Sequence, residues 1–143
     1  MLDTIFLLPL VTLVGWTLVV WIWMYATRIP AILRTGMALD PEAPRGSQMA
    51  QLPARVRWKA DNYDHLLEQP TLFYALTLAF AMIGPQETSR SVALACCWAY
   101  VGLRMVHSLV QTLGNRIEAR FAVFVLSTLP LFVLVGLALL EVL

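Results

Sequence analysis

Apolar residues gather into four long stretches, near 4–27, 56–83, 91–113 and 119–142, divided by two short polar breaks and one long one. At about 1.5 Å of rise per residue, stretches of this length match the ~30 Å hydrocarbon core of a bilayer, so each predicts a membrane-spanning helix. No basic segment precedes the first, and it outlasts the roughly 7–15-residue apolar core of a cleaved leader, which favours a retained span. Pro30 is expected to close it. Through 28–55 the chain is broken by Asp40, Pro41, Glu42, Pro44, Gly46 and Pro53, predicting a solvated loop. The second span opens on a charged amphipathic turn, Arg55 to Asp64, and stops at Gly84-Pro85. Gly114-Asn115 marks the next turn, and Pro130 predicts a kink in the fourth span. Short connections place consecutive helices side by side and antiparallel. The predicted fold is therefore an all-α integral membrane protein, an antiparallel four-transmembrane-helix bundle forming one domain over 1–143.

Composition agrees: 59% of the 143 residues are hydrophobic and 13% charged, too apolar for an ordinary soluble domain. Of the ten Lys and Arg residues, only Arg90 falls at the end of the spans away from the long loop. The positive-inside rule then places the long loop, 28–55, in the cytoplasm and both termini outside, in a bacterial inner membrane. That topology accounts for Arg34 and Arg45 without a ligand. A net charge of +1 gives no reason to expect a nucleic-acid partner. Cys96 and Cys97 are adjacent within an apolar stretch, without metal-ligand or redox spacing, and read as packing residues. The sequence contains no phosphate-binding glycine loop, zinc-ligand pattern or serine-nucleophile motif.

Polar side chains inside the spans are where chemistry is to be sought, because an Arg at mid-span costs about 2.5–3.5 kcal/mol and needs partners. On the second helix Asn62, His65 and Gln69 share one face by three- and four-residue spacing, beside an acidic strip of Asp61, Asp64 and Glu68. Asp61 and Asp64 suit a wetted first turn. Glu68 lies deeper and precedes Pro70, whose missing N–H frees the carbonyl of Leu66; a buried carboxylate there calls for a cationic partner. Arg104, His107 and Gln111 share a face of the third helix, so an Arg104–Glu68 ion pair is expected if these groups serve structure alone. Asn115, Arg116 and Arg120 follow at the next helix start, where the dipole and guanidinium donors suit an anion. Snorkelling to lipid headgroups explains Arg116 equally well, so Arg120 is the better ligand candidate.

Three segments, Asn62-Tyr-Asp-His65-Leu-Leu-Glu68-Gln-Pro70-Thr-Leu-Phe73-Tyr74, Leu103-Arg104-Met-Val-His107-Ser108 and Asn115-Arg116-Ile-Glu-Ala-Arg120-Phe121, resemble the MAPEG family, membrane-associated proteins in eicosanoid and glutathione metabolism. The resemblance covers essentially the whole chain and looks like a bacterial branch. It implies a homotrimer of four-helix subunits binding glutathione, as cosubstrate, between neighbours near the cytoplasmic face. It further implies that Arg120, at the start of the fourth helix, stabilises the glutathione thiolate. Arg104 and His107 match the family's third-helix Arg and His. The family's second-helix Asn and Glu, three residues apart, match either His65 and Glu68 or Asn62 and His65. Where several characterised eukaryotic members carry tyrosines, this chain has Gln111 and Phe124.

The function so implied is a microsomal-type glutathione transferase or peroxidase acting on lipophilic electrophiles. Arg120 is its catalytic group, while Asn62, His65, Glu68, Arg104, His107 and Arg116 bind the tripeptide. A noncatalytic scaffold or lipid-binding bundle is the competing class, motivated by Gln111 and Phe124. A transporter is a weaker third reading, since the chain shows no internal repeat or paired broken helices.

Overall fold

The computed structural model describes residues 3–143, and among them it is all-helical. A 3-10 turn at Thr4–Phe6 leads into α1 (Leu7–Thr35); α2 (Ala54–Glu68) and α3 (Pro70–Ile83) follow end to end, then α4 (Glu87–Leu113) and α5 (Ile117–Val142). Because α2 and α3 form one rod, four helical units are long and apolar enough to cross a membrane. The rod is interrupted only at Gln69, which keeps helical dihedrals (φ −59°, ψ −37°). Pro70 therefore breaks the hydrogen-bond ladder without breaking the direction of travel: it has no N–H for the carbonyl four residues back, and Leu72 N–H instead reaches Gln69 at 3.0 Å.

α1 departs from expectation at its end. Pro30 does not close it; the helix runs on to Thr35 and stops at Gly36, in the left-handed conformation (φ 61°). One proline removes one backbone donor, and a long helix absorbs that loss where a left-handed glycine does not permit continuation. The loop proper thus begins at Gly36 and contains a short 3-10 turn, Met49–Gln51. α5 likewise passes through Pro130; one turn earlier the Ser127 and Thr128 hydroxyls both donate to the Phe124 carbonyl, at 2.7 and 3.0 Å.

The bundle is organised around α4, which packs on α5, α2 and α1. Its inward stripe begins with Ala93, Cys97, Tyr100 and Val101, all buried, and recurs every three or four residues as one helix face must. Phe73 of α3 stacks on Tyr100 (centroids 4.6 Å), and Phe6 stacks on Phe80 (5.4 Å). The outside is apolar too: Leu8, Leu18 and Ile22 on α1, and Phe132 and Leu140 on α5, are exposed. A water-soluble bundle would bury these, whereas hydrocarbon solvates them. Polar hydroxyls within the spans, Thr17 and Thr77 among them, satisfy themselves on carbonyls of the preceding turn.

At the end away from the long loop, Asp3 ties three elements together. Its N–H donates to the Ala81 carbonyl at 2.8 Å, and its carboxylate accepts from Arg90 Nε (2.6 Å) and Nη2 (3.2 Å). The hydrogen bonds and charge of Arg90 hold the Asp3 carboxyl below its ordinary value. At the loop end Lys59 donates to the Arg55 carbonyl (2.8 Å), with its ammonium 5.3 Å from the Trp23 ring centre.

Candidate functional site

The buried stripe of α4 turns polar toward the loop end. Arg104, His107, Ser108, Gln111 and Thr112 are all buried, Arg104 and Gln111 completely. Helical spacing puts them on the face that α4 turns inward, so the fold draws a guanidinium, an imidazole and an amide into the interior. Arg104 spends one N–H on the backbone: Nη2 donates to the His65 carbonyl at 2.6 Å. Its planar group lies 5.8 Å from the Phe124 ring centre. Arg104 Nε and Nη1, His107 Nδ1 and both amide atoms of Gln111 are buried without a hydrogen-bond partner among the described residues. Buried polar atoms are nearly always paired, so a concentration of unpaired ones on three successive turns marks a place where structure alone does not explain the residue choice.

The expected Arg104–Glu68 pair does not form. Glu68 is not buried; its side chain is 68% exposed and its carboxylate lies 3.1 Å from Nδ1 of His65, one turn back on the same helix. Arg104 reaches the backbone of His65 instead. The α2–α3 junction turns the Glu68 side chain outward while presenting the His65 carbonyl inward, a difference of orientation that spacing along one helix does not reveal.

A cavity of about 230 Å³ opens beside this polar stripe, lined by His65 of α2, His107 of α4, and Ile117, Arg120, Phe121 and Phe124 of α5. The His65 and His107 rings stand nearly perpendicular, 6.1 Å apart, and Phe124 lies 6.0 Å from His107. Arg120 sits on the first turn of α5. Its Nη1 donates to Asn115 Oδ1 at 2.9 Å, and Asn115 holds a positive φ (46°) that aims its side chain back across the turn. Asn tolerates that conformation better than other side-chain-bearing residues, which gives the Gly114-Asn115 turn a positional reason.

A family model describing the MAPEG family matches residues 6–140. The chain belongs to the MAPEG family. That family is a membrane bundle and includes glutathione transferases and peroxidases. Comparison with curated proteins and with solved structures finds no match.

Among the residues singled out by the MAPEG resemblance, His65, His107 and Arg120 share the cavity, Arg104 lies directly behind His65, and Glu68 joins through His65. Asn62 and Arg116 do not share it. Asn62 is fully buried and donates to the Ser108 hydroxyl, crossing from α2 to α4. Arg116 borders a separate depression of about 320 Å³ with Leu109, Leu113 and Ala119. Two partners were missed from sequence: Ser108, and Tyr100, whose hydroxyl lies 3.5 Å from Gln69 Oε1 while Gln69 Nε2 donates to Thr128 at 3.0 Å. The signal was available, because Tyr100 and Ser108 stand four residues either side of Arg104 and so share its face.

Proposed function

We propose that this protein is a glutathione-dependent membrane transferase or peroxidase acting on lipophilic electrophiles, with Arg120 stabilising the thiolate. The observation that carries the reading is the shared cavity: one guanidinium and two imidazoles converge on it, and a second guanidinium with two unpartnered nitrogens stands behind them. A thiol of pKa about 8.5 is mostly protonated at neutral pH and reacts as its thiolate, which a neighbouring guanidinium favours. Arg104 and the polar face of α2 would hold the tripeptide's ionic groups, and Arg116, which borders a separate depression, would do so only for a site shared with a neighbouring copy. The engagement of Asn62 Nδ2 by Ser108 favours the His65 and Glu68 register on the donor side, while Asn62 Oδ1 is buried without a partner among the described residues.

An apolar co-substrate would occupy a separate groove. One turn along α5 from Phe124, Thr128 begins a groove of about 340 Å³ between α3 and α5, walled by Leu72, Leu76, Leu131, Phe132 and Val135. The cavity itself, about 230 Å³, is smaller than the roughly 300–1,000 Å³ of small-molecule sites, which supports a reading in which a second copy of the chain completes its wall. Exposed Asp61, Asp64 and Glu68 on α2 support the same assembly, since charges on a membrane helix seek protein or water rather than lipid. We take the assembly to be a homotrimer, with the long loop cytoplasmic in a bacterial inner membrane.

The test is a glutathione titration of detergent-purified protein, read by thermal stability, with Arg120→Ala and a sulfur-free glutathione analogue, followed by turnover on a panel of hydrophobic electrophiles. Saturable stabilisation that weakens with the variant and the analogue, together with thiol-dependent turnover, is expected. Absence of both would reject the reading. It would favour the noncatalytic bundle instead, whose interhelical bonds Asn62–Ser108 and Gln69–Thr128 use polar groups for assembly.

A further inference from the structure

We infer that His65, oriented by Glu68, takes the proton from the thiol as the sulfur nucleophile forms beside Arg120. The inference rests on the glutathione reading above and assigns the one step that Arg120 does not perform. A guanidinium stays protonated in proteins, so it stabilises an anion without accepting the proton that must leave.

Two contacts fix His65. Its carbonyl accepts from Arg104 Nη2 at 2.6 Å, and its ring Nδ1 lies 3.1 Å from the Glu68 carboxylate. A carboxylate accepts only, so the hydrogen of a neutral His65 ring resides on Nδ1, and Nε2 carries the lone pair. Nε2 makes no hydrogen bond among the described residues, and His65 lines the cavity that Arg120 also lines. The arrangement is a carboxylate–imidazole dyad opening on a site with a built-in counter-charge for sulfur, the orienting logic of acid–base pairs generally.

The alternatives are fewer than the cavity's polarity suggests. Arg104 contacts the His65 carbonyl, His107 stands 6.1 Å from its ring and Arg120 lines the same cavity, while Asp61, Asp64 and Glu68 lie on its own helix. Of these carboxylates, Glu68 is the one in contact with the His65 ring. His107 also lines the cavity, but no carboxylate orients its ring, and its Nδ1 is buried without a partner. Glu68 does not line the cavity and acts through His65, which makes it a positioning residue.

The balance of the step is simple. The S–H bond breaks, its electron pair stays on sulfur beside the Arg120 guanidinium, and the proton passes to His65 Nε2. The resulting imidazolium keeps its Nδ1–H on Glu68, so the dyad becomes a neutral ion pair. When sulfur forms its bond to carbon, the group displaced or opened on the electrophile takes the released electron pair. An alkoxide so formed receives the proton from His65; with a halide leaving group the proton passes to water.

The experiment compares wild type with His65→Gln, His65→Ala and Glu68→Gln, each confirmed to assemble by size and with its stabilisation by glutathione measured. In wild type, kcat/KM is expected to show a solvent deuterium isotope effect from the transfer of the thiol proton. His65→Gln is expected to lose the isotope effect and to lower kcat/KM about 10²-fold at neutral pH, well beyond any loss of glutathione stabilisation. Glu68→Gln is expected to lower kcat/KM about tenfold through the orientation of His65. Added imidazole is expected to restore part of the turnover of His65→Ala. A His65→Gln enzyme with the wild-type kcat/KM and isotope effect overturns the inference and leaves the glutathione reading standing. Wild type that neither binds nor turns over glutathione overturns both. Should His65→Gln fail to assemble, Glu68→Gln decides: an unchanged kcat/KM overturns the dyad.

Discussion

Arg104 offers a direct test of whether the polar stripe of α4 serves stability or a ligand. Replacement by Met keeps most of the unbranched stem that packs near Phe124 and removes the charge. The lost hydrogen bond to the His65 carbonyl is worth about 2 kcal/mol, being charge-assisted. Against it, Nε and Nη1 are buried without partners, and each unsatisfied donor costs about 2 kcal/mol. The net expectation is a ligand-free protein more stable by about 2 kcal/mol, in keeping with buried ionic groups that are often replaced by apolar ones without loss. At about 4 °C per kcal/mol for a chain of this size, the melting midpoint should rise roughly 8 °C. Glutathione at a hundred times its Kd should add about 2.7 kcal/mol to wild type and far less to Arg104→Met. The assay is a pair of thermal unfolding curves, with and without glutathione, in the same detergent. A ligand-free Arg104→Met protein less stable than wild type, with an undiminished glutathione response, would refute the reasoning and return Arg104 to a structural role.

Three further outcomes follow from other contacts. The Asp3 carboxyl is held below its ordinary value by Arg90, so its contribution to stability is complete above about pH 3.9 and declines as pH falls toward the depressed folded-state value. Asp3→Asn should flatten the pH dependence of the melting midpoint in that acid range and leave its slope near neutrality unchanged; an unaltered acid limb would show that the Arg90 contact contributes nothing. At the α4–α5 turn, Asn115→Ala should cost about 1–2 kcal/mol for its positive φ, whereas Asn115→Gly should stay near wild-type stability. Both variants release Arg120 and should lower kcat/KM by a common factor of about 10–100, so activity that tracks stability instead would contradict the tether. Thr128→Val removes the Gln69 contact between the α2–α3 junction and α5 and should cost only about 0.6 kcal/mol in unfolding measurements, the mean for interhelical hydrogen bonds in membranes.

The four spans were legible in the chain because each carries an apolar run longer than the bilayer core demands, and no tertiary contact is needed to read such a run. The inward face of α4 was legible too: Arg104, His107 and Gln111 repeat at helical spacing, and their burial follows once α4 packs on its neighbours. What periodicity left open was direction at helix junctions and distance between helices. Pro30 looked like a stop but is absorbed within α1, since one missing donor weakens a long helix less than a left-handed residue redirects it. Glu68 looked like the partner of Arg104, yet the α2–α3 junction turns the acid outward and offers the His65 carbonyl in its place. Arg116 and Arg120, four residues apart, border different depressions because Arg116, at the N-cap, still has extended backbone (φ −68°, ψ 114°) and Arg120 is already on the helix. Local spacing determines which residues share a helix face; which faces meet, and which atoms then lie within hydrogen-bonding reach, is decided only when the helices pack.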